Sequence, residues 1–208
     1  MGGRRRRSAL AVALVTVGGG QQVYAHCSGE GSPTVVLESG DEDDQFQWGG
    51  VQAAVAEHTR VCSYDRLGTG SSDPATGCRR TADLLAVLQG MLDAMDAGPP
   101  YVLVGTSGGG FIMTSYAYAH PKDTAGIVLA ETPHAIIPSQ APQELLDAID
   151  CRAPTNIEQR TNVEGQRGWL VLSPLAEQFV VTTGHDVPNT ETELTVREVL
   201  RVVEEARG

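Results

Sequence analysis

Tyr101-Val-Leu-Val-Gly-Thr-Ser-Gly-Gly-Gly110 constrains this 208-residue chain more than any other stretch. Four residues suited to a buried strand, Tyr101 to Val104, run directly into Gly105-Thr106-Ser107-Gly108-Gly109. A helix-compatible run, Phe111 to His120, follows. A chain that turns so abruptly from strand to helix needs residues without a Cβ where its backbone packs against itself. The spacing is G-x-S-x-G, which in this strand–turn–helix setting puts the serine on a strained turn with its hydroxyl projecting out of the fold. The helix N-terminus then directs amide N–H groups and the positive end of its dipole at that hydroxyl. In a chain with 24 glycines the motif alone says little; its flanking elements give it weight.

Two further segments agree with it. In Arg60-Val-Cys-Ser-Tyr-Asp-Arg-Leu-Gly-Thr-Gly-Ser-Ser-Asp73 a strand-like run, Val61 to Tyr64, ends in Asp65-Arg66 and a glycine-punctuated turn. In Gln178-Phe-Val-Val-Thr-Thr-Gly-His-Asp186 a short strand delivers a histidine into a loop. Apolar residues at Val196, Val199, Leu200 and Val203 then recur at helical spacing.

Together these segments resemble the α/β-hydrolase superfamily, over roughly residues 22 to 206. The family's Y-D-R-x-G-x-G-x-S pattern is matched by Tyr64, Asp65, Arg66, Gly68, Gly70 and Ser72. Gly31-Ser-Pro-Thr-Val-Val-Leu-Glu-Ser-Gly40 looks like the strand leading into the family's oxyanion loop, and Gly184-His185-Asp186 like its histidine loop. The resemblance implies an α/β fold, a mostly parallel sheet with helices on both faces and catalytic loops at the strand C-termini. It also implies little or no cap domain, because fewer than fifty residues separate Glu131 from Gln178.

The remaining elements follow in order. Gln22 to His26 and Thr34 to Leu37 read as strands, and Val51 to His58 as a short helix. Arg80 to Ala97 carries Leu84, Leu88, Met91, Leu92 and Met95 at three- and four-residue steps, an amphipathic helix stopped by Gly98-Pro-Pro100. Gly126 to Ala130 is an apolar strand ending at Glu131, and Pro142 to Asp150 and Val163 to Leu172 read as helices. Arg152 to Gln166 is polar and broken by Pro154 and Gly165, so the core strand the family places before the histidine strand is expected to be missing.

A single domain over 21–208 is expected, preceded by a leader over 1–20. Arg4 to Arg7, a nine-residue mostly apolar run (Ala9 to Val17) and Gly18-Gly-Gly20 have the parts of an export signal. The alternatives are a disordered basic tail and a truncated first strand. The apolar run is too short to span a bilayer. A net charge of −11 disfavours a nucleic-acid partner. Four cysteines without a C-x-x-C or His/Cys cluster suggest no metal site. In the family's strand order Cys27 neighbours Cys62, making them a candidate disulfide with Cys78 and Cys151 as the remaining pair; buried free thiols are the alternative.

The implied chemistry is attack by Ser107 on an ester or related acyl bond of a small-molecule substrate, with no cofactor. His185 would be the base, in the nucleophile–acid–histidine chain order of this fold. His26, His58 and His120 read as structural or surface residues, while His134 could line the site. The acid is Glu131, after the strand that follows the elbow helix, or Asp150, or absent. Gly108 and the loop after Leu37, at Gly40 and Asp41, would supply the oxyanion N–H groups. That loop carries Asp41-Glu-Asp-Asp44, a solvated acidic turn or a feature that attracts a cationic substrate or damages the site. The competing class is a non-catalytic binding protein built on the same fold.

Overall fold

The computed structural model describes residues 11–40, 44–77, 80–130 and 186–208. Its strands are β1 (Ala11–Thr16), β2 (Gln22–Ser28), β3 (Thr34–Glu38), β4 (Val61–Tyr64), β5 (Tyr101–Thr106) and β6 (Thr124–Ala130). Its longer helices are α1 (Gly49–Val55), α2 (Thr81–Ala94), α3 (Ser107–Ala119) and α4 (Thr192–Arg207). The strands form one sheet in the order β1-β2-β4-β3-β5-β6. β2 runs antiparallel to both β1 and β4, whereas β4, β3, β5 and β6 are parallel. The sheet is therefore mixed, with its parallel part at the centre and at the β6 side.

Burial explains why the central strands are apolar throughout. Every residue of β3 and β5 is buried, as expected of parallel strands covered on both faces. Successive side chains then alternate between two cores. Val36, Cys62, Tyr101 and Leu103 pack with Leu88, Met91 and Leu92 of α2 and with Ile112, Met113 and Tyr116 of α3. Val35, Leu37, Val61, Val102 and Val104 pack on the other face with Trp48, with Val51 and Val55 of α1, and with Val199 and Val203 of α4. Four-residue steps such as 51/55 and 199/203 put each pair on one helix face. Helices on both faces of an α/β sheet are thus observed as expected. Arg207 fastens α4 to the far end of the sheet by donating to the backbone carbonyls of Ser32 and His58, both at 3.0 Å.

Several expected boundaries move. α1 begins two residues before Val51, and α2 stops at Ala94, where Asp96 takes a positive φ of 52° ahead of Gly98. α2 opens with the Asp83 carboxylate accepting the Arg80 backbone N–H at 2.9 Å. Hydrogen bonds from the Arg80 guanidinium, and then this backbone bond, hold the Asp83 carboxyl below its ordinary value.

Part of the segment expected to be a leader is described as a strand. The described sheet begins at Ala11, inside that segment. Val15 and Val17 are buried in the core that α2 covers, while Val12 and Leu14 are exposed. A short, mostly apolar run serves an edge strand as readily as a signal's apolar region, so composition does not separate the two. Cys27 and Cys62 stand directly opposite each other in the β2/β4 ladder and form a disulfide with a Cα–Cα distance of 4.1 Å. Cys78, Cys151, the two helices expected after Pro142 and the polar stretch 152–166 lie outside the described residues.

Candidate active site

β5 carries the chain to Thr106 in extended conformation, and α3 starts at the next residue. Ser107 makes that transition with φ at 48°, a left-handed conformation unusual for a residue with a Cβ. Its side chain is largely buried, and no described residue hydrogen-bonds its hydroxyl. The glycines of the motif are required by what lies beside them. A Cβ on Gly105 would stand 2.6 Å from Gly110 Cα, inside the first turn of α3. A Cβ on Gly109 would stand 2.6 Å from the Glu38 carbonyl oxygen and closer still to that of Ser39. The β5–α3 turn is thus wedged against the chain leaving β3. Gly108, next to the serine, contributes a first-turn amide of α3, one of the N–H groups that no intrahelical carbonyl can satisfy.

The chain leaving β3 is held from two sides by consecutive residues of the Tyr64-Asp65-Arg66 motif. β3 ends at Glu38 rather than at Leu37, and the Glu38 carboxylate is buried. Its Oε1 accepts Arg66 Nη1 at 2.6 Å and its Oε2 accepts the Tyr64 hydroxyl at 2.5 Å. Arg66 Nη1 also donates to the Ser39 carbonyl at 2.6 Å, and Nη2 donates to the Gly40 carbonyl. Both charges are desolvated, so each depends on the other and on these bonds. Asp65, fully buried, takes the far end of the same loop. Its Oδ1 accepts the Gln45 N–H at 2.9 Å and its Oδ2 the Ser71 N–H at 2.8 Å. Gly70 is glycine because a Cβ there would run into the Asp65 carboxylate. Ser72, the last residue of the motif, bonds the Asp65 carbonyl at 2.6 Å and accepts the Tyr24 N–H at 2.8 Å.

The acidic turn after Gly40 is described only from Asp44. The Asp44 carboxylate caps a 3-10 turn, Gln45–Trp48, by accepting the Phe46 N–H at 2.9 Å. A helical turn at Val187–Thr190, with Val187 and Pro188 buried, packs on Gln45–Trp48 and on α1. The chain that follows residue 185 is therefore seated against the far end of the loop after β3.

Of the residues expected to form the site, the structure describes Ser107, Gly108 and Gly40, all at the C-terminal end of the central strands. Asp41, Glu131 and His185 lie outside the described residues, as do the alternatives Asp150 and His134. Two neighbours of these positions are fixed. Ala130 pairs with Thr106 in the β5/β6 ladder, and Asp186 leads into the turn at Val187. His120 stacks on Tyr116 with ring centroids 4.4 Å apart, a packing role. His26 lies in β2, where burial lowers its pKa from 6.5. No cluster of three His, Cys, Asp or Glu side chains able to hold a metal ion occurs among the described residues. Nor is any helix among them long and apolar enough to cross a membrane.

Glu38 is the residue that sequence reasoning passes over. A carboxylate closing a fully buried strand needs a cationic partner, and Arg66 is the one the Y-D-R motif offers.

Residues 32–155 match a family model described as alpha/beta hydrolase fold. YqjL, an uncharacterised protein of Bacillus subtilis, is 29% identical over 106 residues, which cover 51% of this chain and 42% of YqjL. The probable transporter efuK of Hormonema carpetanum is 28% identical over 122 residues, covering 55% of this chain and 18% of efuK. The matches thus span less than half the length of either relative. Among solved structures, a predicted CIB-like hydrolase from Thermoplasma acidophilum superposes with a TM-score of 0.71. That likeness covers 97% of this chain and 100% of the other at 16% identity, a likeness of fold.

Proposed function

The chain belongs to the α/β-hydrolase fold family, and we propose that it is a serine hydrolase cleaving an ester or related acyl bond of a small molecule. Ser107 attacks the acyl carbon and forms an acyl-enzyme. His185 takes the serine proton, returns it to the leaving group, and then activates water. Glu131 orients and stabilises the imidazolium. The Gly108 N–H and an N–H of the loop after Glu38 bind the developing oxyanion.

The observation that carries this reading is the conformation of Ser107. A left-handed serine at the head of a buried helix, flanked by two glycines that no larger residue can replace, is costly unless the hydroxyl is used. The roles of Glu131 and His185 draw support from their neighbours. Ala130 leaves the sheet level with Thr106, and Val187 packs on the turn that ends the loop after β3. Serine at position 107 argues against the aspartate-nucleophile chemistry found elsewhere in the fold.

The test is labelling of the purified protein with a fluorophosphonate, with Ser107→Ala as control. Labelling that disappears in the variant supports an activated serine. A folded wild-type protein that does not label would favour a non-catalytic binding member of the family.

A further inference from the structure

We propose that Arg66, braced by Glu38, is a positioning residue that sets the oxyanion loop against the nucleophile turn, with Asp65 fixing the loop's other end. The inference rests on the serine-hydrolase reading of Ser107. Two consecutive residues of one motif hold a loop that starts 28 positions earlier in the chain. Arg66 takes the start, through Glu38, Ser39 and Gly40, and Asp65 takes the Gln45 N–H.

Peptide geometry turns this grip into an orientation. In a trans peptide the C=O and the following N–H point in opposite directions. With the Ser39 carbonyl held on Arg66, the Gly40 N–H is committed to the side away from the guanidinium. The Gly40 N–H is the described amide of this loop that the serine-hydrolase reading makes an oxyanion donor.

One planar fork reaches both carbonyls and the Glu38 carboxylate, which an ammonium on a single point cannot do. Glu38 keeps the fork in register, and Tyr64 keeps Glu38 in place from the opposite oxygen. Gly109 sits against the Glu38 and Ser39 carbonyls, so a shift of the loop moves it relative to Ser107. Donor placement matters to catalysis on the scale of about 1 Å.

The experiment compares wild type, Arg66→Lys and the double variant Glu38→Gln/Arg66→Met. The double variant removes the Glu38–Arg66 pair as a unit, so neither member is left buried without the other. Each is measured by thermal melting, by the rate of fluorophosphonate labelling, and by kcat and KM on p-nitrophenyl acetate. The expected result is folded variants with little change in KM. Arg66→Lys should label and turn over about 10-fold more slowly, and the double variant about 100-fold. Folded variants that react at the wild-type rate would reduce Arg66 to a structural prop and overturn the inference. If either variant melts early, its rate is compared below the melting transition per folded molecule, where the same two outcomes decide. A wild-type protein that fails to label removes the serine-hydrolase reading, and this inference falls with it.

Discussion

Gly109 and Ser39 are in backbone contact: the third residue of α3 lies against the carbonyl of the loop after β3, with no room for a methyl group between them. Gly109→Ala must therefore displace one or the other. The expected cost is at least about 2 kcal/mol of stability, from overpacking against atoms that cannot rotate away. Labelling of Ser107 should also slow about 100-fold as the loop retreats. Gly49→Ala, at the exposed start of α1 where a Cβ would meet nothing within 4 Å, serves as the control. It should be neutral or stabilise by about 0.5–1 kcal/mol. Equal melting temperatures for the two variants would contradict the contact.

Ser107 holds a conformation that glycine adopts freely. Ser107→Gly should therefore abolish turnover while raising stability by about 1 kcal/mol, the strain released less the entropy glycine gains when unfolded. Urea denaturation measures it. A glycine variant less stable than Ser107→Ala would show that the turn is not strained.

Breaking the Cys27–Cys62 bridge should lower stability by about 2–4 kcal/mol, since it closes a 35-residue separation between adjacent strands. Paired Cys27→Ala and Cys62→Ala substitutions, or melting with and without reductant, give the value. A melting temperature indifferent to reductant would mean that the two sulfurs are not joined in solution.

His26 gives the pH dependence a sign. Burial in β2 lowers its pKa from 6.5, and its Nε2 is enclosed without a hydrogen-bond partner. Below pH 6.5 the unfolded chain then binds more protons at this residue than the folded one. The His26 contribution is complete above that pH and is lost as pH falls through 6.5 toward the lowered value. His26→Gln should accordingly narrow the difference in melting temperature between pH 7.5 and pH 5. A variant with the same pH profile as wild type would place the acid sensitivity elsewhere.

Much of this architecture can be read from sequence because it is locally specified. The elbow announces itself through glycines whose neighbours are a few positions away, as Gly105 and Gly110 are. The helices on the two faces announce themselves through four-residue apolar steps such as Val199 and Val203. What escapes such reading is set by partners distant in the chain. Nothing near Glu38 says that it will be buried, and nothing near Arg66 says that it will reach the carbonyls of Ser39 and Gly40. The Ala11–Thr16 edge strand escapes for a different reason. Its unbroken apolar run is shared with segments that never join a sheet, and only pairing with β2 distinguishes it. The proposed acid and base stand in a middle ground. Their neighbours Ala130 and Asp186 are fixed by the sheet and by the helical turn at Val187, but each role depends on side chains beyond them.

The bond between Cys27 and Cys62 has one more effect, topological rather than energetic. It makes the chain between them a closed ring that contains β3, the loop gripped by Arg66, and α1. A single backbone cut anywhere in that ring leaves the two pieces covalently joined. A protease nick in the acidic turn would thus be invisible on a non-reducing gel and appear as two fragments once the sulfurs are reduced.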